Sequence, residues 1–139
     1  MDAAFWDGLR APGIPNTVDT EAYNNVLEII EQAFAEHAQR PAFTGINHTL
    51  SYAEIDQLSD AFCRYLQHNT NLKPGDRIAI QMANLLQYPV VIYGALRAGL
   101  VVVNTNPLYT AREMRHQFKD SGAKALIFMS TFGDSVAEV

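Results

Sequence analysis

The sequence reads as an α/β unit: an open, mostly parallel sheet flanked by helices, with a small N-terminal hairpin. Two observations carry this. The run Arg77–Met82 is apolar with little alternation, which suits a strand covered on both faces. Strand and helix patterns then succeed one another twice, as right-handed crossovers in an α/β sheet require.

The elements follow in order. Residues 1–24, with Pro12, Gly13 and Pro15 close together, form an irregular arm whose anchors are Phe5 and Trp6. Residues 25–139 form the α/β part. A first helix from Asn25 to His37 is indicated by Val26, Leu27, Ile30 and Phe34 at helical spacing, with Pro41 blocking continuation. A hairpin pairs Ala42–Thr44 with Thr49–Leu50 across Gly45, Ile46, Asn47 and His48. Ser51 stands three before Glu54, as a capping box requires, and Leu50 with Ile55 makes a hydrophobic staple. Ile55, Leu58, Phe62, Tyr65 and Leu66 then form the apolar face of a second helix.

Lys73-Pro74-Gly75-Asp76 is a turn by composition and leads into the strand Arg77–Met82. Pro89 fits the first turn of the next helix, where its missing N–H costs nothing, and Gly99 ends that helix. Leu100–Val103 is a second buried strand, followed by a rigid loop, Asn104-Thr105-Asn106-Pro107. Thr110 and Glu113 repeat the capping box, Tyr109 and Met114 the staple, and Gly122 closes that helix. Lys124–Met129 is a third strand, and a further helix starts near Asp134. That last unit stops after little more than one turn, which marks the chain as an expected fragment.

Composition narrows the function. The chain has 139 residues, 48% of them hydrophobic and 18% charged, with a net charge of −5. That is enough for a packed core and excludes disorder as the main state. An acidic balance gives no electrostatic footprint for nucleic acid. The single cysteine, Cys63, cannot form an internal disulfide, and no secretory leader opens the chain, so the cytoplasm is the expected compartment. The uncharged stretch Ile78–Leu96 is punctuated by Gln81, Asn84, Gln87, Pro89 and Gly94, which suits a strand and a buried helix better than a membrane span.

The inventory of reactive groups is thin. Gly94 and Gly99 have the separation of the outer glycines of a Walker loop, but Leu100 and Val101 stand where Lys and Ser or Thr should follow. His37, His48, His68 and His116 are isolated from one another and from Cys63, so no metal-ligand spacing emerges. Cys63 falls in an amphipathic helix and reads as a packed thiol. Arg112, Arg115, His116 and Lys119 share one helix face; such a stripe can meet an anionic partner, but its plain reading is a solvated surface. The sequon Asn47-His48-Thr49 carries no weight in a cytoplasmic chain. Hence no residue is assigned a catalytic, cofactor-binding or metal-binding role.

The segments TLSYAEIDQLSDAFCRYL and LKPGDRIAIQMANLLQYPVVIYGALRAGLVVVNTNPLYTAREMRHQFKDSGAKALI, within Thr49 to Phe128, resemble the adenylate-forming superfamily of acyl-CoA synthetases. Within it they resemble bacterial long-chain fatty acid–CoA ligases most, and NTNPLYTARE is the most specific block. The resemblance extends to the arm, FWDGLRAPGIPNTV. It implies that the chain is the first part of the large N-terminal domain of such an enzyme. That enzyme converts fatty acid, ATP and coenzyme A to acyl-CoA, AMP and diphosphate with magnesium. The family's phosphate loop and its small C-terminal domain have no counterpart in these residues, so the resemblance implies a scaffold that is inactive alone. Its partners would be the rest of its own chain and, in the parent, the fatty acid. Two alternatives stay open. One is a non-enzymatic interaction module, for instance a homodimer exchanging the arm that carries Phe5 and Trp6. The other is a relative activating medium-chain, aryl or amino acids. The resemblance further implies peripheral contact of the parent with the inner membrane.

Overall fold

The computed structural model describes residue 5, residues 8–15 and residues 17–139. Trp6, one of the two expected arm anchors, lies outside the described residues; the other, Phe5, is 57% exposed.

Helix α1 spans Val26–His37, and the hairpin strands β1 and β2 span Pro41–Gly45 and His48–Ser51. Helix α2 covers Tyr52–Asn69. Then come β3 (Arg77–Gln81), α3 (Gln87–Arg97), β4 (Val101–Asn104), α4 (Ala111–Ser121) and β5 (Ala123–Phe128). A 3-10 turn, Ser130–Phe132, leads into the short helix α5, Gly133–Ala137. The order of elements is the one expected, with strand ends displaced by one residue and the hairpin longer.

Local chemistry sets most of the boundaries. Asn25 caps α1, its side-chain oxygen accepting from the Leu27 and Glu28 N–H groups. Glu28 in turn accepts from the backbone and side chain of Asn24, one residue further out than a capping box would place it. Both expected capping boxes are present, Ser51 with Glu54 on α2 and Thr110 with Glu113 on α4. Gly75, Gly99 and Gly122 all have positive φ, at 87°, 76° and 64°.

The three-stranded sheet has the order β4-β3-β5, with both pairings parallel. Strand β3 is therefore central, and Ile78, Ala79, Ile80 and Gln81 are all buried. The strand patterns are less covered at the edges, where Val101 is 47% and Phe128 is 39% exposed. Cys63 and Leu66 of α2 pack with Ala95 of α3 and Ala98, which follows that helix, against Ile78 and Leu100.

The apolar face of α2 differs from expectation. Its buried residues are Ile55, Ser59, Cys63 and Leu66, whereas Leu58 and Tyr65 remain about half exposed. The reason is the close crossing of α3. A Cβ on Gly94 would stand 2.7 Å from the Ser59 carbonyl oxygen, so the crossing point falls on a serine. Tyr65 stacks on Phe62 at the margin instead, with ring centroids 6.3 Å apart.

Arg97, in the last turn of α3, ties three helices together. Its Nη1 donates to the Asp56 carbonyl and to Ser59 Oγ, both at 2.9 Å, and its Nη2 reaches Asp56 Oδ1 at 2.5 Å. The guanidinium lies over the Phe34 ring, 5.2 Å from its centroid, with Glu31 of α1 at 3.7 Å from Nε. At the amino end of the sheet, Asp76 accepts from the Lys73 N–H at 2.9 Å and from Lys124 Nζ at 2.6 Å, joining the turn before β3 to β5.

Candidate functional site at the carboxyl ends of the strands

In open α/β sheets ligands bind beyond the carboxyl ends of the strands, where the strand order reverses. Here that reversal lies at β3, because the chain moves from β3 to β4 on one side and then back across to β5 on the other. The residues at this edge are Gln81, the loop Asn104–Tyr109, and Met129.

The loop is held from several sides. Thr105 is buried and donates its N–H to the Ile80 carbonyl at 2.9 Å, extending the β3–β4 ladder by one bond. Asn106 makes a local turn, its Oδ1 accepting from the Leu108 N–H at 3.0 Å and its carbonyl from Tyr109 at 3.1 Å. Tyr88, near the start of α3, donates its hydroxyl to Asn104 Oδ1 at 2.8 Å. Two glutamine amides grip the loop backbone. Gln117 of α4 donates to the Asn104 carbonyl at 3.1 Å, and Gln81 to that of Pro107 at 3.5 Å. The Oε1 atoms of both glutamines are buried without a partner. On the far side of β3, the Ala83 N–H points at Met129 Sδ, 3.4 Å away.

Beside the loop runs an open groove of about 770 Å³ along α4, lined by Tyr109, Arg112, Glu113, His116, Gln117 and Asp120. Glu113 is committed to the capping box. The Thr110 N–H and hydroxyl hold its carboxyl below the usual range. The stripe Arg112, Arg115, His116 and Lys119 is exposed throughout, with Arg115 donating to the Glu138 carbonyl.

The other candidate groups do not converge. His37 packs edge-on against Tyr52, while His48 and His68 are exposed on separate elements. Cys63 is buried in the core, and that burial pushes its thiol above the ordinary value, the opposite of what a nucleophile needs. Among the described residues no group of three or more His, Cys, Asp and Glu side chains could hold a metal ion. Gly94 and Gly99 face Phe62 and Pro74, so they serve packing and not a phosphate.

Among the described residues this edge assembles neither a glycine-rich backbone cradle nor a carboxylate cluster. What the edge presents is a braced loop with amide and carbonyl groups. The Gln81 and Gln117 contacts are legible only in three dimensions, because each joins residues distant in sequence and neither follows a spacing rule.

Comparison with known proteins identifies the family. The AMP-binding enzyme family matches residues 30–138. The long-chain-fatty-acid–CoA ligase of Escherichia coli O157:H7 is 43% identical over 134 residues, covering 96% of this chain and 24% of the relative. That of Haemophilus influenzae is 42% identical over 97% of this chain and 24% of its own length. The salicyl-AMP ligase of Mycobacterium tuberculosis is 37% identical over 90% of this chain and 20% of its own. Among solved structures, a benzoate CoA ligase from Burkholderia xenovorans superimposes with a TM-score of 0.77 at 24% identity, over 84% of this chain and 24% of that one. The N-terminal domain of FACL13 from Mycobacterium tuberculosis gives 0.76 at 23%, over 83% and 30%. The chain thus spans about a quarter of the length of the long-chain ligases it matches. With the fold of the N-terminal domain of adenylate-forming enzymes and a family match over most of its length, the chain belongs to the AMP-binding enzyme family.

Proposed function

We propose that the chain is the N-terminal scaffold of a long-chain fatty acid–CoA ligase and does not catalyse adenylation by itself. The single observation that supports this best is the 42–44% identity to bacterial long-chain ligases across nearly the whole chain. The complete ligase joins a fatty acid to coenzyme A with conversion of ATP to AMP and diphosphate. ATP, magnesium and coenzyme A then belong to residues outside the 139. The role of this part is to present a rigid sheet edge and a braced loop to the rest of the enzyme. Cytoplasmic residence with peripheral contact at the inner membrane accompanies the reading; no helix among the described residues is long and apolar enough to cross a membrane.

Fatty-acid-dependent exchange of diphosphate into ATP tests the proposal. The 139-residue chain should show none above a blank, and exchange by the purified chain would overturn it. A second reading, an aryl-acid-activating parent, is favoured by the 37% identity to the salicyl-AMP ligase. It ranks lower because the long-chain ligases are closer over a longer stretch. Assaying the protein encoded by the full gene with palmitate and with salicylate separates the two.

A further inference from the structure

The two glutamines at the carboxyl edge leave an acceptor unused in a place where water is excluded. A buried acceptor without a donor is costly, so native structures rarely keep one without a reason. Gln81 is the sharper case. Its side chain is fully buried, its Oε1 has no partner, and its one tie, to the Pro107 carbonyl, is at the 3.5 Å limit of a hydrogen bond.

The loop it touches is braced on its inner side but carries an open apolar side chain on its outer side. Leu108 is 82% exposed, the most open of the large apolar side chains between α2 and the end of the chain. Phe128, the register partner of Gln81 on β5 and therefore on the same face of the sheet, is 39% exposed. Both ends of the loop are anchored, by the Thr105 bond to Ile80 on one side and by the Thr110–Glu113 capping box on the other. Between these anchors Asn106, the residue before Pro107, carries an amide donor. The side-chain amide of Asn106 uses its Oδ1 for the Leu108 N–H, and its Nδ2 is the group that could turn inward.

We infer that Asn104–Tyr109 is a strap with a second, closed position. There the Asn106 Nδ2 donates to Gln81 Oε1 and Leu108 covers Phe128. Closing supplies the missing donor, buries two apolar side chains and shuts the mouth of the sheet at the place where ligands of α/β proteins bind. The inference concerns the 139 residues by themselves, with the strand ends uncovered.

The test is amide nitrogen relaxation dispersion on the 139-residue chain, which reports exchange on the μs–ms scale. A closed state populated at roughly 1–10% should broaden Leu108 and Tyr109. Gln81→Met removes the acceptor at similar volume, and Asn106→Asp removes the donor while keeping Oδ1 for the Leu108 N–H. Each should lower the exchange contribution at these amides at least about threefold. Flat profiles in the unaltered chain would overturn the strap, as expected if Gln81 Oε1 holds an internal water. Exchange that persists in either variant would overturn it equally. Asn106 is exposed, so its variant keeps the test decisive even if Gln81→Met fails to fold.

Discussion

Replacing Gly94 by Ala probes the tightest contact in the fold. Helix propensity alone favours the change, since Ala exceeds Gly by about 1 kcal/mol in a helix interior. The crossing of α2 and α3 opposes it. The new Cβ would stand 2.7 Å from both the Ser59 carbonyl oxygen and Phe62 Cδ1, and 3.1 Å from Phe62 Cβ. The Phe62 ring can swing, but the carbonyl is backbone and cannot. Restoring ordinary contact at 3.4 Å opens the crossing by about 0.7 Å, a gap that forfeits a quarter to a half of each dispersion contact it touches. Cys63, Leu66, Ala95 and Ala98 lie along that seam, and the Arg97 bonds to Asp56 and Ser59 span it. Overpacking of this kind costs up to about 3 kcal/mol, so the net loss after the propensity gain is about 2 kcal/mol. For a chain of this size that lowers Tm by roughly 8 °C. Urea unfolding should show a lower midpoint at unchanged slope. A variant as stable as the parent, or more stable, would refute the close-crossing argument. Gly75→Ala is the control, having no atom within 4 Å of the added Cβ but a φ of 87°, so its cost of about 1 kcal/mol comes from backbone conformation alone.

Three further outcomes are expected. Arg97→Lys should not rescue the loss of about 2–3 kcal/mol expected for Arg97→Met, because an ammonium cannot reach the Asp56 carbonyl, its carboxylate and Ser59 Oγ together; chemical denaturation of both variants checks this. Thr110→Ala should cost about 1 kcal/mol and speed hydrogen exchange in the first turn of α4, where it removes the side-chain half of the capping box. The hydrogen bonds from Lys124 and the Lys73 N–H hold the Asp76 carboxyl below its ordinary value, so its contribution is complete above the unfolded Asp value near pH 4 and is lost as pH falls through the folded one. Asp76→Asn should therefore flatten the decline of Tm below about pH 4; an unchanged acid slope would show that the pairing does not matter.

The α/β order, the turns and both capping boxes were legible because each depends on residues within a few positions of one another. Ser51 with Glu54 and Gly122 at a helix end are local signals, and the fold keeps them. Which face of α2 is buried was legible only in part. Hydrophobicity marks Leu58 and Tyr65, but the crossing is decided by the absence of a side chain at Gly94, a residue on another helix. Arg97 gives no sign in the sequence of being a hub, since its partners are Asp56, Ser59, Glu31 and Phe34 on two earlier helices. The carboxyl edge was legible as a rigid loop, but not as one braced by Gln81 and Gln117, because tertiary hydrogen bonds from amides follow no period.

Strand order also governs when the sheet can exist during synthesis. Central strand β3 is the first of its sheet to emerge, yet both its neighbours come later, and Gln81 pairs with Phe128. Its parallel pairing closes long loops, which is slow and leaves an apolar strand uncovered in the meantime. The hairpin and α2, by contrast, rely on near neighbours and can form as soon as they emerge. A nascent or truncated chain ending before β5 would hold β3 by one edge only, with Ile78 and Ile80 partly uncovered. Such a chain should be prone to aggregate at a length where helices α1 to α4 are already complete.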